Sequence, residues 1–172
     1  MDEAGIFHDK RVELIEGEII DMAPIGSFHS GSSNRLNWLF GEPAAKGRWL
    51  VSVQNSLALD KESEPQPDLM LLKPSPGFYT ERLPTPDDVF LLIEISHTTV
   101  DFDRERKLPL YGRAGIVEVW ILNLQDRLIE VCREPHFTGY AEISKLKAGQ
   151  KISPKLFPDV KLEVAALLRK GS

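Results

Sequence analysis

Apolar positions in this chain recur mostly with the period of a strand, and only twice with that of a helix. Val12, Leu14 and Ile15, then Ile19, Ile20 and Met22, flank Glu16-Gly17. That pattern predicts a β-hairpin over 12–22, with Gly17 supplying the positive φ of a tight turn. Residues 24–33 read as a loop passing into a helix capped by Ser27 or Ser30. Leu36, Leu39 and Phe40 follow at helical spacing, and Gly41, Pro43 and Gly47 are expected to end or break that helix. Alternation over 49–59 predicts a half-buried strand, and a second strand opens at Pro67-Asp68 and continues through Leu72.

Residues 73–88 contain Pro74, Pro76, Pro84 and Pro86 and read as a long surface loop around Phe78 and Tyr79. The strongest apolar run, Val89 to Ile95, is too short for an ordinary helix and reads as a buried strand. A polar bend over 96–99 leads to a helix over 101–114, which Gly115 ends. Pro109 inside it predicts a kink, or a helix beginning only near the proline. Strands are expected over 116–124, 127–133 and 140–146, and a last strand or short helix over 160–168. The order is that of an α/β (α+β) fold: a mixed β-sheet flanked by helices, with an N-terminal β-hairpin, in one domain over 1–172.

Composition narrows the class. The chain is 172 residues long, 42% hydrophobic and 27% charged, as expected of a soluble globular domain. No apolar run approaches the ~20 residues that span a bilayer. The opening stretch is too polar for a signal peptide. Cys132 is the single cysteine, so no intrachain disulfide forms, and a reducing cytoplasm fits. Its apolar surroundings predict a buried, inert thiol. A net charge of −5 argues against avid binding of nucleic acid through bulk charge, without excluding a local basic patch.

The candidate chemistry begins with Glu94, a carboxylate inside the best strand. Burying a lone carboxylate costs several kcal/mol unless a proton, a cation or hydrogen bonds compensate. Asp68 stands at a comparable place on the preceding strand, and consecutive strands commonly pair. Two converging carboxylates favour a cation between them: a hard divalent ion such as Mg²⁺, or the ammonium of Lys107 on the following helix. Such a set suits phosphodiester hydrolysis. The plainer readings are turn chemistry at Asp68, an exposed Asp103–Lys107 pair, a solvated mixed-charge face over 101–106, a surface or capping role for His29, and solvent-facing Glu13 and Glu18.

Pro67-Asp68, Glu94-Ile95-Ser96, Asp103 with Lys107, Tyr111, Gly115 and Glu118-Val119-Trp120 together resemble the Uma-type restriction endonucleases of the PD-(D/E)xK nuclease superfamily. The opening Glu13 to Glu18, His29, and the stretch Ser153 to Asp159 extend the resemblance over nearly the whole chain. The resemblance implies a metal-dependent endonuclease acting on DNA, with Mg²⁺ or Mn²⁺ as cofactor and a homodimer as the form that cuts both strands. Asp68, Glu94 and the backbone carbonyl of Ile95 would face the metal. Lys107 would support the nucleophile, and Glu13 and His29 would line the site. One departure stands out: the lysine usually two residues after the second acid is Ser96 here, and Lys107 stands on the next helix in its place. The alternatives are a nuclease-like fold kept as a non-catalytic nucleic-acid-binding or interaction module, and an enzyme acting on another phosphate ester.

Overall fold

A computed structural model describes residues 11–169; the first part of the polar N-terminal stretch lies outside them. The hairpin forms as expected, from β1 (Val12–Ile15) and β2 (Glu18–Asp21). Glu16 joins Gly17 at positive φ (50° and 81°), as a two-residue turn that follows strand twist requires. Leu14 and Glu64 exchange backbone hydrogen bonds, and the Glu62 carbonyl accepts from Gly17, which moors the hairpin to the segment ahead of β4.

The main sheet has six strands in the order β3 (Leu50–Val53), β4 (Leu69–Leu72), β5 (Val89–Ser96), β6 (Glu118–Asn123), β7 (Leu128–His136) and β8 (Gly139–Lys147). Neighbours are antiparallel except β5 and β6, which run parallel and need a crossover. That crossover is a single helical stretch: α2 (Val100–Phe102), a π turn (Asp103–Lys107) and α3 (Leu108–Arg113). A small ribbon of β9 (Lys151–Ile152) and β10 (Leu162–Glu163) leads into α4 (Val164–Leu167).

The sheet is covered on both faces, which is why its central strands are apolar almost throughout. Leu69, Leu71, Leu91, Ile93, Ile95, Trp120 and Leu122 pack against α1 (Ser27–Ala45) and α4. Met70, Leu92, Val119 and Ile121 pack on the other face against Leu108 and Tyr111 of α3. Alternation puts Glu94 on the α3 face with Leu92. Cys132 lies in that second core, where burial pushes its thiol up to about 12.

Several expectations change. Gly26, not Ser27 or Ser30, is the N-cap of α1, with no side-chain capping bond, and the helix runs through Gly41 and Pro43 to Ala45. Pro43 lies only two residues from the helix end at Ala45, so little regular helix follows it. The strand expected over 49–59 stops at Val53, because Gln54 takes φ 53° and turns the chain away. The proline-rich loop precedes β5 and so lies at the far end of that strand from Glu94. It is braced by Asp88, which accepts from the Thr85 backbone and hydroxyl and from Arg82. These bonds, the Arg82 guanidinium foremost, hold the Asp88 carboxyl well below the usual carboxylate range.

The helical stretch continues through Pro109, but its last regular α segment begins at Leu108 with the proline in its first turn, as the rule for proline expects, and a π turn precedes it. In a straight α-helix the proline ring would collide with the carbonyl four residues back. Here Leu108 N–H donates to the Asp103 carbonyl five residues back, and this wider turn sits immediately before the proline.

Candidate active site

Asp68 immediately precedes β4 and Glu94 lies on the neighbouring β5, next to Ile93, which pairs with Leu69. Asp68 is 7% exposed and doubly engaged. Its Oδ2 accepts from the Ile95 N–H at 2.8 Å, and its Oδ1 lies 2.9 Å from His29 Nε2 in the first turn of α1. In an extended strand a residue's N–H and carbonyl point the same way, so the Ile95 carbonyl is also directed towards the Asp68 side of β5. His29 Nδ1 is buried and has no hydrogen-bond partner among the described residues.

Three side chains reach the site from the crossover helix. Asp103, Lys107 and Tyr111 are all buried and recur every four residues. Four-residue steps drift by about 40° in an α-helix, and the wider π turn between Asp103 and Lys107 offsets that drift. Lys107 Nζ donates to Glu13 Oε1 at 2.9 Å and Glu94 Oε1 at 3.2 Å. The Tyr111 hydroxyl donates to the same Glu94 oxygen at 2.6 Å. Asp103 Oδ2 accepts a short hydrogen bond from Ser96, the residue in the lysine slot, and a longer one from Thr99 at 3.4 Å. Glu13, on β1, also accepts from the Gln66 N–H at 2.8 Å, so the hairpin and the segment leading to Asp68 close the site together.

Four buried carboxylates (Glu13, Asp68, Glu94 and Asp103) thus surround one buried ammonium. Burial raises the Glu94 carboxyl well above its ordinary value; Lys107 opposes the shift, and Asp103, Asp68 and Glu13 add to it. Asp103 is raised for the same reason, again against Lys107. Burial works against the Lys107 ammonium, but Glu94, Glu13 and Asp103 outweigh it, so Lys107 stays charged far above neutral pH. Burial also raises the Tyr111 hydroxyl, which therefore acts as a hydrogen-bond donor.

The family described as "Uma2: Putative restriction endonuclease" matches residues 3–165. The chain belongs to this family. The fold is similar to that of a solved structure described as a "putative nuclease belonging to DUF820" from Anabaena variabilis. It is 14% identical, with a TM-score of 0.73 over 93% of this chain and 90% of that one. No curated protein matches the chain.

In this Uma2-family chain the side chains singled out from sequence form two contact sets, His29 with Asp68 and Lys107 with Glu13 and Glu94, and the Asp68 charge acts on Glu94 between them. The exposed Asp103–Lys107 pair does not form; both residues are buried, and Lys107 turns to the glutamates. Glu18 faces solvent, where Arg106 meets it at 3.0 Å. Sequence reasoning gave no site role to Asp103, Tyr111 or Ser96. The four-residue spacing of 103, 107 and 111 is the signal that would have found the first two. Among the described residues no group of three or more His, Cys, Asp or Glu stands ready to hold a metal ion; both Asp68 oxygens and Glu94 Oε1 are engaged within the protein.

Proposed function

We propose that this protein is a metal-dependent endonuclease that hydrolyses DNA phosphodiester bonds. The observation that carries the reading is the placement of Asp68 at the start of β4 beside Glu94 on β5, with a buried lysine from the next helix on Glu94. The donor set suits a hard divalent ion: four buried carboxylates face one lysine, an excess of negative charge that Mg²⁺ or Mn²⁺ would balance. Asp68, Glu94 and the Ile95 carbonyl would hold the ion, with His29 steadying Asp68. When bound, the ion would polarise the scissile phosphate and lower the pKa of a coordinated water.

The protein's own groups do the rest. Lys107 keeps a positive charge beside Glu94, where it stabilises negative charge growing on the phosphate oxygens. The Tyr111 hydroxyl and the Gln66 N–H fix the Glu94 and Glu13 oxygens between which Lys107 is hung. Ser96 is tied to Asp103 and takes no part as a base. Two copies of such a site would be needed for both strands of a duplex, so the reading includes a homodimer, acting in the cytoplasm. Among the described residues no helix is long and apolar enough to cross a membrane.

The test is cleavage of supercoiled and linear DNA with Mg²⁺ or Mn²⁺, with wild type beside Asp68→Ala and Glu94→Gln. Both variants are expected to lose cleavage, at least 100-fold as an order of magnitude for catalytic groups, while keeping the wild-type circular dichroism spectrum. Full activity in both folded variants refutes the site.

A further inference from the structure

The hairpin and the crossover helix meet through three cations and three carboxylates. Lys107 bonds Glu13 in the buried site, and two arginines of the same helical stretch bond the hairpin outside it. Arg106 Nη2 donates to Glu18 Oε2 at 3.0 Å, and Arg113 Nη2 donates to Glu16 Oε1 at 2.8 Å. These outer pairs are open to solvent, with the Glu18 and Glu16 side chains 69% and 47% exposed. Exposed pairs of this kind hold weakly, so another anion can replace the carboxylate. Arg106 gives Glu18 only one arm of its fork, and its Nε is buried without a hydrogen-bond partner among the described residues. The Arg113 guanidinium lies over the Phe137 ring, 5.8 Å from its centroid, and this contact orients it independently of Glu16. The two arginines are seven residues apart, about two turns and 10 Å of helix, and both turn to the same hairpin. Contact also ties this face to the carboxylate site, since the Lys107 ammonium bonds Glu94 as well as Glu13.

We infer that Arg106 and Arg113 form a clamp for backbone phosphates of the nucleic acid that enters the Asp68–Glu94 site, with Glu18 and Glu16 standing in for those phosphates until a strand displaces them. A phosphate offers a guanidinium two oxygens at once, so it can engage the Arg106 Nε that Glu18 leaves unpaired. The turn itself stays in place: the Glu16 N–H donates to Ser63 Oγ, and the Gly17 N–H donates to the Glu62 carbonyl. The exchange therefore needs only two glutamate side chains to swing into water. Phosphate contacts carry no base information, so the clamp positions a strand without reading its sequence. Covering the cations with acid also keeps a chain of net charge −5 from gathering nucleic acid through bulk charge. The clamp gives the nuclease reading above a backbone-binding surface, and it rests on that reading.

The test uses the full chain with Ca²⁺ in place of Mg²⁺ and fluorescence anisotropy of a labelled DNA duplex between about 50 and about 200 mM KCl. Glu16→Gln combined with Glu18→Gln is expected to bind roughly 2- to 30-fold more tightly than wild type. Glu81→Gln combined with Glu142→Gln is the control. It removes the same charge from exposed positions on the proline-rich loop and on β8, and its gain is expected to be much smaller because distant charges are screened. Adding Arg106→Gln and Arg113→Gln to the first pair is expected to abolish the gain and to lower the slope of log affinity against log salt by about 2. Arg106→Lys with Arg113→Lys in the same background is expected to keep the slope. A gain no larger than the control's, or one that survives removal of both arginines, overturns the clamp. If wild type still cleaves DNA with Mg²⁺ in that case, the clamp falls alone. A wild type that neither binds nor cleaves DNA overturns the clamp and the nuclease reading together.

Discussion

Replacing Lys107 with methionine removes the one cation that, among the described residues, bonds the buried Glu13 and Glu94, while keeping a side chain of similar length. Its two contacts, at 2.9 and 3.2 Å, each amount to roughly 5–6 kcal/mol of gross attraction at an effective dielectric of about 20. Desolvation of the ammonium offsets much of that, and breaking a buried pair typically costs about 3–5 kcal/mol because a charge is left uncompensated. Against a total stability of about 5–15 kcal/mol, Lys107→Met is expected to leave the protein close to unfolding at neutral pH. The pH dependence gives the sharper check. The Glu94 carboxyl is raised in the folded chain above its ordinary 4.5. From about that pH upwards the folded state binds a proton that the unfolded chain has released, so stability falls as pH rises through the window up to the raised value. Lys107 is the main group that lowers Glu94 and Asp103, so its removal widens the window and deepens the fall. Urea denaturation near pH 5 and pH 8 reads this directly. The deficit of Lys107→Met is expected to be smaller at the acid end, and Glu94→Gln added to it is expected to restore a large part of the loss at pH 8. A loss below about 1 kcal/mol, the range of a solvent-exposed pair, or one independent of pH, would refute the assignment of Lys107 as the charge that permits burial of these acids.

Tyr111→Phe deletes the 2.6 Å bond to Glu94 without changing the packing of the ring; a loss of about 1–2 kcal/mol in urea denaturation is expected, and an unchanged midpoint refutes it. Gly112→Ala would put a Cβ closer than 3.0 Å to three backbone atoms of Gly139 at the β7–β8 turn. It is expected to cost about 2 kcal/mol or more, seen as a lower thermal midpoint, and a variant as stable as wild type refutes the close approach of α3 to that turn.

The sheet was legible because its strands carry their own signals: alternation at 12–22, a short unbroken apolar run at 89–95, turn residues between. Glu94 was legible because one charge in that run demands a reason. Lys107 was legible as a candidate cation because it lies on the helix that follows the Glu94 strand, whereas Asp103 and Tyr111 were not given roles. Residues 101–107 are so rich in charge that periodicity alone reads them as a solvated face, and burial of Asp103 and Lys107 is decided by acids more than ninety positions away or on another strand. The rule for Pro109 located the start of α3 at Leu108 but not the π turn ahead of it, because it assumes that no helix of another geometry leads into the proline. Pro43 and the strand end at Val53 failed for local reasons, a proline close enough to a helix end to be tolerated and a single positive φ at Gln54.

The π turn ahead of Pro109 has a consequence for how this chain can change its length. A wide turn holds one residue more than the α-helix it interrupts, so losing a residue between Asp103 and Lys107 would let the helix close up and set the proline against a carbonyl. Gaining one elsewhere in the crossover would swing every later side chain by about 100° and turn Tyr111 away from Glu94. Loops on this molecule can lengthen or shorten freely by comparison. The segment joining β5 to β6 is metered to the residue, and the metering is set by a proline through its backbone alone.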